Sequence, residues 1–128
     1  MSKLIAKSIN RDYPNESGAE LFKVVSEADN LEAFIEFFEG NTDVKIKFEN
    51  IFGYKSLDES DLFDWWNFIT LKDGWLFEVE AGGWKEFEAT RSDFMSAAHE
   101  KLKEFLIISN NMCLSVLCYE YPSISKDT

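Results

Sequence analysis

Two cysteines and one histidine are the side chains of this sequence whose types could support nucleophilic catalysis. Cys113 and Cys118 lie in one apolar run, and His99 is the only histidine among 128 residues. No Cys-His signature links them, and the cysteines fall within a predicted core strand, not at a loop or helix terminus where a thiolate would be stabilised. We therefore expect no catalytic residues, two buried thiols and a surface histidine.

A second group, acidic in character, has the residue types of a metal site. Oxygen ligands of this kind suit Ca²⁺ and Mg²⁺, but the segment lacks the Asp-x-Asp-x-Asp-Gly pattern with a later Glu that marks a calcium loop. We expect no metal and no cofactor, and interpret the segment as a solvated start of a short helix. The carboxylates are Asp58, Glu59, Asp61 and Asp64.

Two further patterns favour structure over chemistry. Glu78 with Glu80, and Glu86 with Glu88, each project from one face of a strand, as a glycosidase pair would, but such rows are typical of solvent-exposed faces. Gly82-Gly83 matches no phosphate-binding motif and predicts a hairpin turn.

The charge distribution says most about partners. The chain carries a net charge of -11, and positions 16 to 64 hold 13 acidic and 4 basic residues, a local net charge of -9. Such a surface attracts cationic partners and repels nucleic acid and anionic membranes. No segment of the sequence has the length and hydrophobicity of a membrane span or a signal peptide. Two cysteines five positions apart in a strand point to opposite faces, so a disulfide between them is geometrically unfavourable. We therefore expect a protein of the reducing cytoplasm.

The elements that must position these residues fit one domain over 1–128, with 1–19 and 122–128 loosely ordered or peripheral. A short edge strand is expected within 1–19, and 122–128 reads as a polar tail. Alternating or β-rich runs predict further strands, with a bend at Gly53 and a polar loop from position 56 to 60. These runs are 21–25, 44–48, 51–54, 74–81, 84–88, 105–108 and 113–119.

Helical content is the less determined part of this prediction. Leu31–Phe38 fits both helical spacing and strand alternation, and the turn-forming residues after it favour a hairpin. Ser60 and Ser92 can each cap a short helix. The expected fold class is α+β, a mostly antiparallel sheet of hairpins with one or two short helices.

A small acidic domain without a catalytic set resembles the immunity proteins of bacterial polymorphic and contact-dependent toxin systems. The resemblance is carried by the runs at 48–54, 74–79, 82–84 and the apolar hairpin from 105 to 117. It implies a non-enzymatic protein that binds and neutralises a cognate toxin, a basic protein and in many systems a nuclease, by stoichiometric occlusion. The expected contact residues are Asp58, Glu59, Asp61, Asp64, Trp65 and Trp66.

Two alternatives from other classes stay open. One is an assembly module that binds a basic protein without inhibiting it. The other is a small-molecule-binding or enzymatic α+β domain whose pocket is lined by Phe and Trp, of which the chain has 12 and 4. Rescue of cells from a toxin would separate the inhibitor from the first alternative, and a ligand retained through purification would favour the second.

Overall fold

The computed structural model describes residues 5–10, 18–58, 74–81, 102–110 and 112–126. These residues form nine strands and one 3-10 turn, Glu39–Asn41. The strands are β1 Ile5–Asn10, β2 Ala19–Glu27, β3 Asn30–Phe37, β4 Thr42–Phe48, β5 Ile51–Asp58, β6 Leu76–Ala81, β7 Lys103–Ile108, β8 Met112–Cys118 and β9 Ser123–Lys126.

The strands build two antiparallel sheets that share one core. The five-stranded sheet has the order β1-β6-β7-β8-β5, and the four-stranded sheet has the order β2-β3-β4-β9. Aromatic pairs span the space between the sheets: Phe37 meets Trp75 edge-on at 5.2 Å, and Phe48 lies 5.9 Å from Phe105. This arrangement is a sandwich, in which each sheet buries one face against the other.

The predicted α+β class is wrong. Within the described ranges the fold is all-β, and the 3-10 turn is its single helical element. The physical reason is visible in β3, where Leu31, Ala33 and Ile35 are fully buried and the residues between them are partly exposed. That period of two fits a strand covered on one face, so the strand interpretation of this segment is confirmed. The helices predicted after Ser60 and Ser92 lie outside the described residues.

The chain changes sheets at a tight corner between β4 and β5. Asn50 has a positive φ of 53°, and the amide of Ile51 donates a hydrogen bond to the carbonyl oxygen of Asp29 at 2.9 Å. The expected bend at Gly53 is confirmed as a register shift between Ile51 and Gly53. The strand continues to Asp58, however, so the polar loop predicted from position 56 is wrong up to that residue.

The N-terminal strand is as expected, whereas the C-terminal segment is better integrated than expected. β1 pairs with β6 and is an edge strand, as predicted. The prediction of a polar tail is wrong for Ser123–Lys126, which form β9 and pair with β4. Ile124 lies opposite Ile46 and packs against the core, which explains why this polar segment is ordered.

The two hairpins predicted in the second half differ in outcome. β7 and β8 form the expected hairpin, and both are interior strands of their sheet, as their apolar sequences predicted. β6 is the first arm of the second predicted hairpin. Its residues Leu76–Val79 are flanked by β1 and β7, and they pair with both strands. The second arm, 84–88, lies outside the described residues.

Candidate functional site

The acidic segment predicted to contact a partner falls largely beyond the described ranges. Asp58 is the last residue of β5, where its backbone is in register with Met112 of β8. Its role and that of the segment therefore stay predictions. The other expected contact residues, all outside the described residues, are Glu59, Asp61, Asp64, Trp65 and Trp66.

The cysteines are structural. Cys113 and Cys118 are buried thiols without a disulfide bond, as predicted. Burial raises the pKa of the Cys118 thiol from 9.0 to about 11, and its Sγ donates a hydrogen bond to the carbonyl oxygen of Glu120 at 3.1 Å. Such a thiol carries almost no thiolate at neutral pH, so it is a poor nucleophile. His99 lies outside the described residues.

Glu78 and Glu80 are engaged with neighbouring side chains. The hydroxyl of Tyr121 donates a hydrogen bond to Glu78 at 2.7 Å, and the ammonium of Lys7 lies 3.7 Å from Glu78 and 4.0 Å from Glu80. That hydrogen bond raises the pKa of the Tyr121 hydroxyl, because the hydroxyl would lose the hydrogen bond if it gave up its proton. The other carboxylate pair, Glu86 with Glu88, is not among the described residues.

The described residues hold no candidate metal site, and Trp75 is a core residue. Across the five described ranges, no group of three His, Cys, Asp or Glu side chains is placed to hold a metal ion. Trp75 is fully buried and packs edge-on against Phe37, so it belongs to the core. Large aromatic side chains usually have this role in a small domain.

A cluster of like charges lies on the outer face of the four-stranded sheet, the face turned away from the core. Three carboxylates occupy adjacent positions there, because strand register places Glu20 opposite Glu36 and Glu36 opposite Asp43. Each is next in sequence to a buried residue, respectively Leu21, Ile35 and Val44 in the three strands, which fixes it on the outer face. We call Glu20, Glu36 and Asp43 the acidic row.

The acidic row differs from the rest of this face in its ion pairing, although Lys23 and Lys45 lie in the next row of the sheet, on either side of Phe34. Further along the sheet, Lys45 lies 3.5 Å from Glu32 and Lys47 lies 3.8 Å from Glu49. Among the described residues, no ion pair reaches a member of the acidic row. Like charges directly opposite one another in a sheet are destabilising, so we expect this row to lower the stability of the free protein.

Two phenylalanines lie on the same face directly beside the acidic row. The rings of Phe22 and Phe34 are 6.3 Å apart, and Phe22 is 49% exposed. A register shift between Leu21 and Lys23 places Phe22 at a bulge, and the ammonium of Lys23 lies 5.1 Å from the Phe34 ring. We call Phe22 and Phe34 the phenylalanine pair. It adds an apolar anchor to an anionic surface.

A cleft lies at the other end of the same face, beside the β2–β3 turn. Its volume is about 280 Å³. Ala28 in that turn has a positive φ of 53°, so the chain reverses tightly at the rim of the cleft. The residues that line it are Val25, Glu27, Ala28, Asn30, Glu32 and Lys47.

The acidic row was missed as a site at the level of sequence, although its members belong to the acidic stretch noted there. Alternation along each strand could have placed Glu20, Glu36 and Asp43 on an outer face. Their adjacency depends on the pairing of β2 with β3 and of β3 with β4, which sequence alone does not determine. The signal available was the strand prediction for β3 and β4 together with the turn between them.

Comparison of the chain with protein-family models, with curated proteins and with solved structures finds no match. In the described part of the chain, no helix is long and apolar enough to cross a membrane. Function must therefore be argued from the charge and geometry of the surfaces described above.

Proposed function

We propose that this chain is an acidic inhibitor of the immunity-protein type, which binds a basic protein toxin and neutralises it by stoichiometric occlusion. The observation that supports the proposal is the acidic row beside the exposed phenylalanine pair. The proposal places the protein in the cytoplasm, where a target toxin would act and where its two cysteines would remain thiols.

The acidic row favours a cationic partner for an energetic reason. Like charges directly opposite one another in paired strands repel, on the scale of a cross-strand pair, which is about 0.2–1 kcal/mol. An arginine or lysine of a partner placed between them removes that repulsion and gains charge-assisted hydrogen bonds. A surface that is suboptimal in the free protein and improved by binding is typical of functional sites.

The phenylalanine pair supplies what charge alone does not. Charge complementarity mainly raises the association rate and specificity, whereas buried apolar anchors slow dissociation. Phe22, which is 49% exposed, would become buried against the partner. Toxin nucleases carry positively charged clefts because they bind phosphates, and an anionic sheet face with an aromatic anchor can cover such a cleft.

The segment after β5 remains part of the proposal. Asp58 ends β5, and the chain continues into Glu59, Asp61 and Asp64, which stay in the proposal as further contacts for a cationic partner. Trp65 and Trp66 would then be further aromatic anchors, a role common for tryptophan at interfaces.

The test is co-purification of the chain with the product of the neighbouring gene, combined with rescue of cells that express that product. We expect capture of this protein and restored growth with the natural chain. The triple variant Glu20→Gln, Glu36→Gln, Asp43→Asn should bind at least tenfold more weakly at low salt, and Phe22→Ala should dissociate faster.

A matched control variant separates local from net charge. Glu49→Gln, Glu80→Gln, Glu120→Gln also removes three negative charges, but away from the acidic row, and should bind within about threefold of the natural chain. Equal weakening by both triple variants would refute the assignment of the acidic row as the contact surface. Binding without rescue would refute inhibition and favour an assembly role.

A further inference from the structure

The outer edge of β2 has no described strand beside it. Among the described residues β2 pairs only with β3, and it forms one margin of the four-stranded sheet. From Lys23 to Glu27 the register with β3 runs without a shift. Lys23, Ser26 and Glu27 are exposed there. A regular edge of this kind offers unpaired N–H and C=O groups to another strand.

The first half of β2 is protected differently. The bulge at Phe22 interrupts the register between Leu21 and Lys23, and bulges of this kind prevent a continuous strand from pairing along an edge. The regular part, Lys23–Glu27, spans on the order of 16 Å, the length of a five-residue strand. An added strand would therefore pair with this half only.

The cleft lies beside this half of the strand. Val25 and Glu27 belong to both, and Glu32 and Lys47 close the cleft on the neighbouring strands. In strand addition, main-chain hydrogen bonds supply affinity, and pockets that accept alternate side chains supply specificity. A cleft of about 280 Å³ has room for one long side chain of an added strand.

We propose that the β2 edge accepts an extended basic segment of the partner as an additional strand, with one of its lysine or arginine side chains in the cleft. This inference rests on the proposed function and specifies how the partner is bound. The carboxylate of Glu27 has no ion pair among the described residues and would receive the cation. A second copy of the chain is a poor occupant, because two molecules of net charge -11 repel each other.

The experiment uses a capped octapeptide of alternating lysine and valine as the probe. Its control is the same peptide N-methylated on four consecutive residues, which blocks main-chain pairing and leaves every charge in place. Affinity is measured by calorimetry at low salt, and hydrogen exchange is followed in the natural chain. We expect slower amide exchange within Lys23–Glu27 and at least tenfold weaker binding of the methylated peptide.

A pair of protein variants tests the cleft. Glu27→Gln should weaken binding of the unmethylated peptide about threefold, whereas Glu80→Gln, which removes a charge from the other sheet, should leave it unchanged.

The outcomes separate this inference from the function on which it rests. Equal binding of both peptides without protection of β2 overturns strand addition, while the attraction of a basic ligand stands. Binding of neither peptide also overturns strand addition, and co-purification with the neighbouring gene product then decides the proposed function by itself.

Discussion

Glu36 is the central member of the acidic row, and its replacement tests whether that row costs stability. Glu36 lies opposite Glu20 on one side and Asp43 on the other, so Glu36→Gln removes two like-charge pairs at once. The change keeps the shape of the side chain and its position on the outer face. We therefore expect this substitution to stabilise the free protein.

The magnitude follows from the two neighbouring pairs. Favourable cross-strand pairs contribute about 0.2–1 kcal/mol each, and we assign a like-charge pair a cost of the same size. Removing both pairs should therefore raise the free energy of unfolding by about 1 kcal/mol at low salt. In 1 M salt the Debye length is about 3 Å, and most of this gain should disappear.

Urea unfolding at 20 mM and at 1 M NaCl measures the effect. The control is Glu32→Gln, on the same strand and the same face, whose carboxylate lies 3.5 Å from the ammonium of Lys45. Loss of this ion pair should lower the free energy of unfolding by between nothing and about 1 kcal/mol. A loss of stability in Glu36→Gln, or a gain that is the same at both salt concentrations, would refute the electrostatic account of the acidic row.

Three further predictions concern the framework. Gly18 has a φ of +105°, and a Cβ there would lie 2.9 Å from Nδ2 of Asn110, so Gly18→Ala should cost about 2–3 kcal/mol in thermal or urea unfolding. Gly40→Ala, at φ +78° with only an ordinary contact of 3.5 Å to Oγ1 of Thr42, should cost only about 1 kcal/mol, and equal losses would contradict the crowding argument. Because the Cys118 thiol has a pKa of about 11 when folded and 9.0 as its ordinary value, its contribution to stability is complete below pH 9 and falls as the pH rises. Between pH 9 and pH 11 the free energy of unfolding of the natural chain should fall by about 2 kcal/mol more than that of Cys118→Ala. If the free energies of unfolding of the two proteins fell in parallel with pH, the raised pKa of Cys118 would be refuted. In a spectrophotometric titration, Glu78→Gln should lower the pKa of Tyr121, identified by comparison with Tyr121→Phe, and an unchanged titration would exclude the hydrogen bond as the cause of the raised pKa.

Strand positions were largely predictable because a strand buried on one face leaves a local pattern. Alternation in β4 and the apolar runs of β7 and β8 indicated strands, and the structure has them. The polar tail was predicted wrongly for Ser123–Lys126, because four residues with one partly buried isoleucine give too weak a pattern. Ser123–Lys126 become a strand only because β4 offers them an edge.

The acidic row shows the same division for function. Composition and spacing determined that the chain is strongly anionic, that its acids concentrate between positions 16 and 64, and that its cysteines are buried. Only the tertiary structure decided that Glu20, Glu36 and Asp43 are neighbours, that Phe22 and Phe34 lie beside them, and that a strand edge and a cleft share their sheet. The physical reason is that charge and periodicity are properties of each segment, whereas adjacency across strands depends on register. Register is set by how all segments bury their apolar faces together.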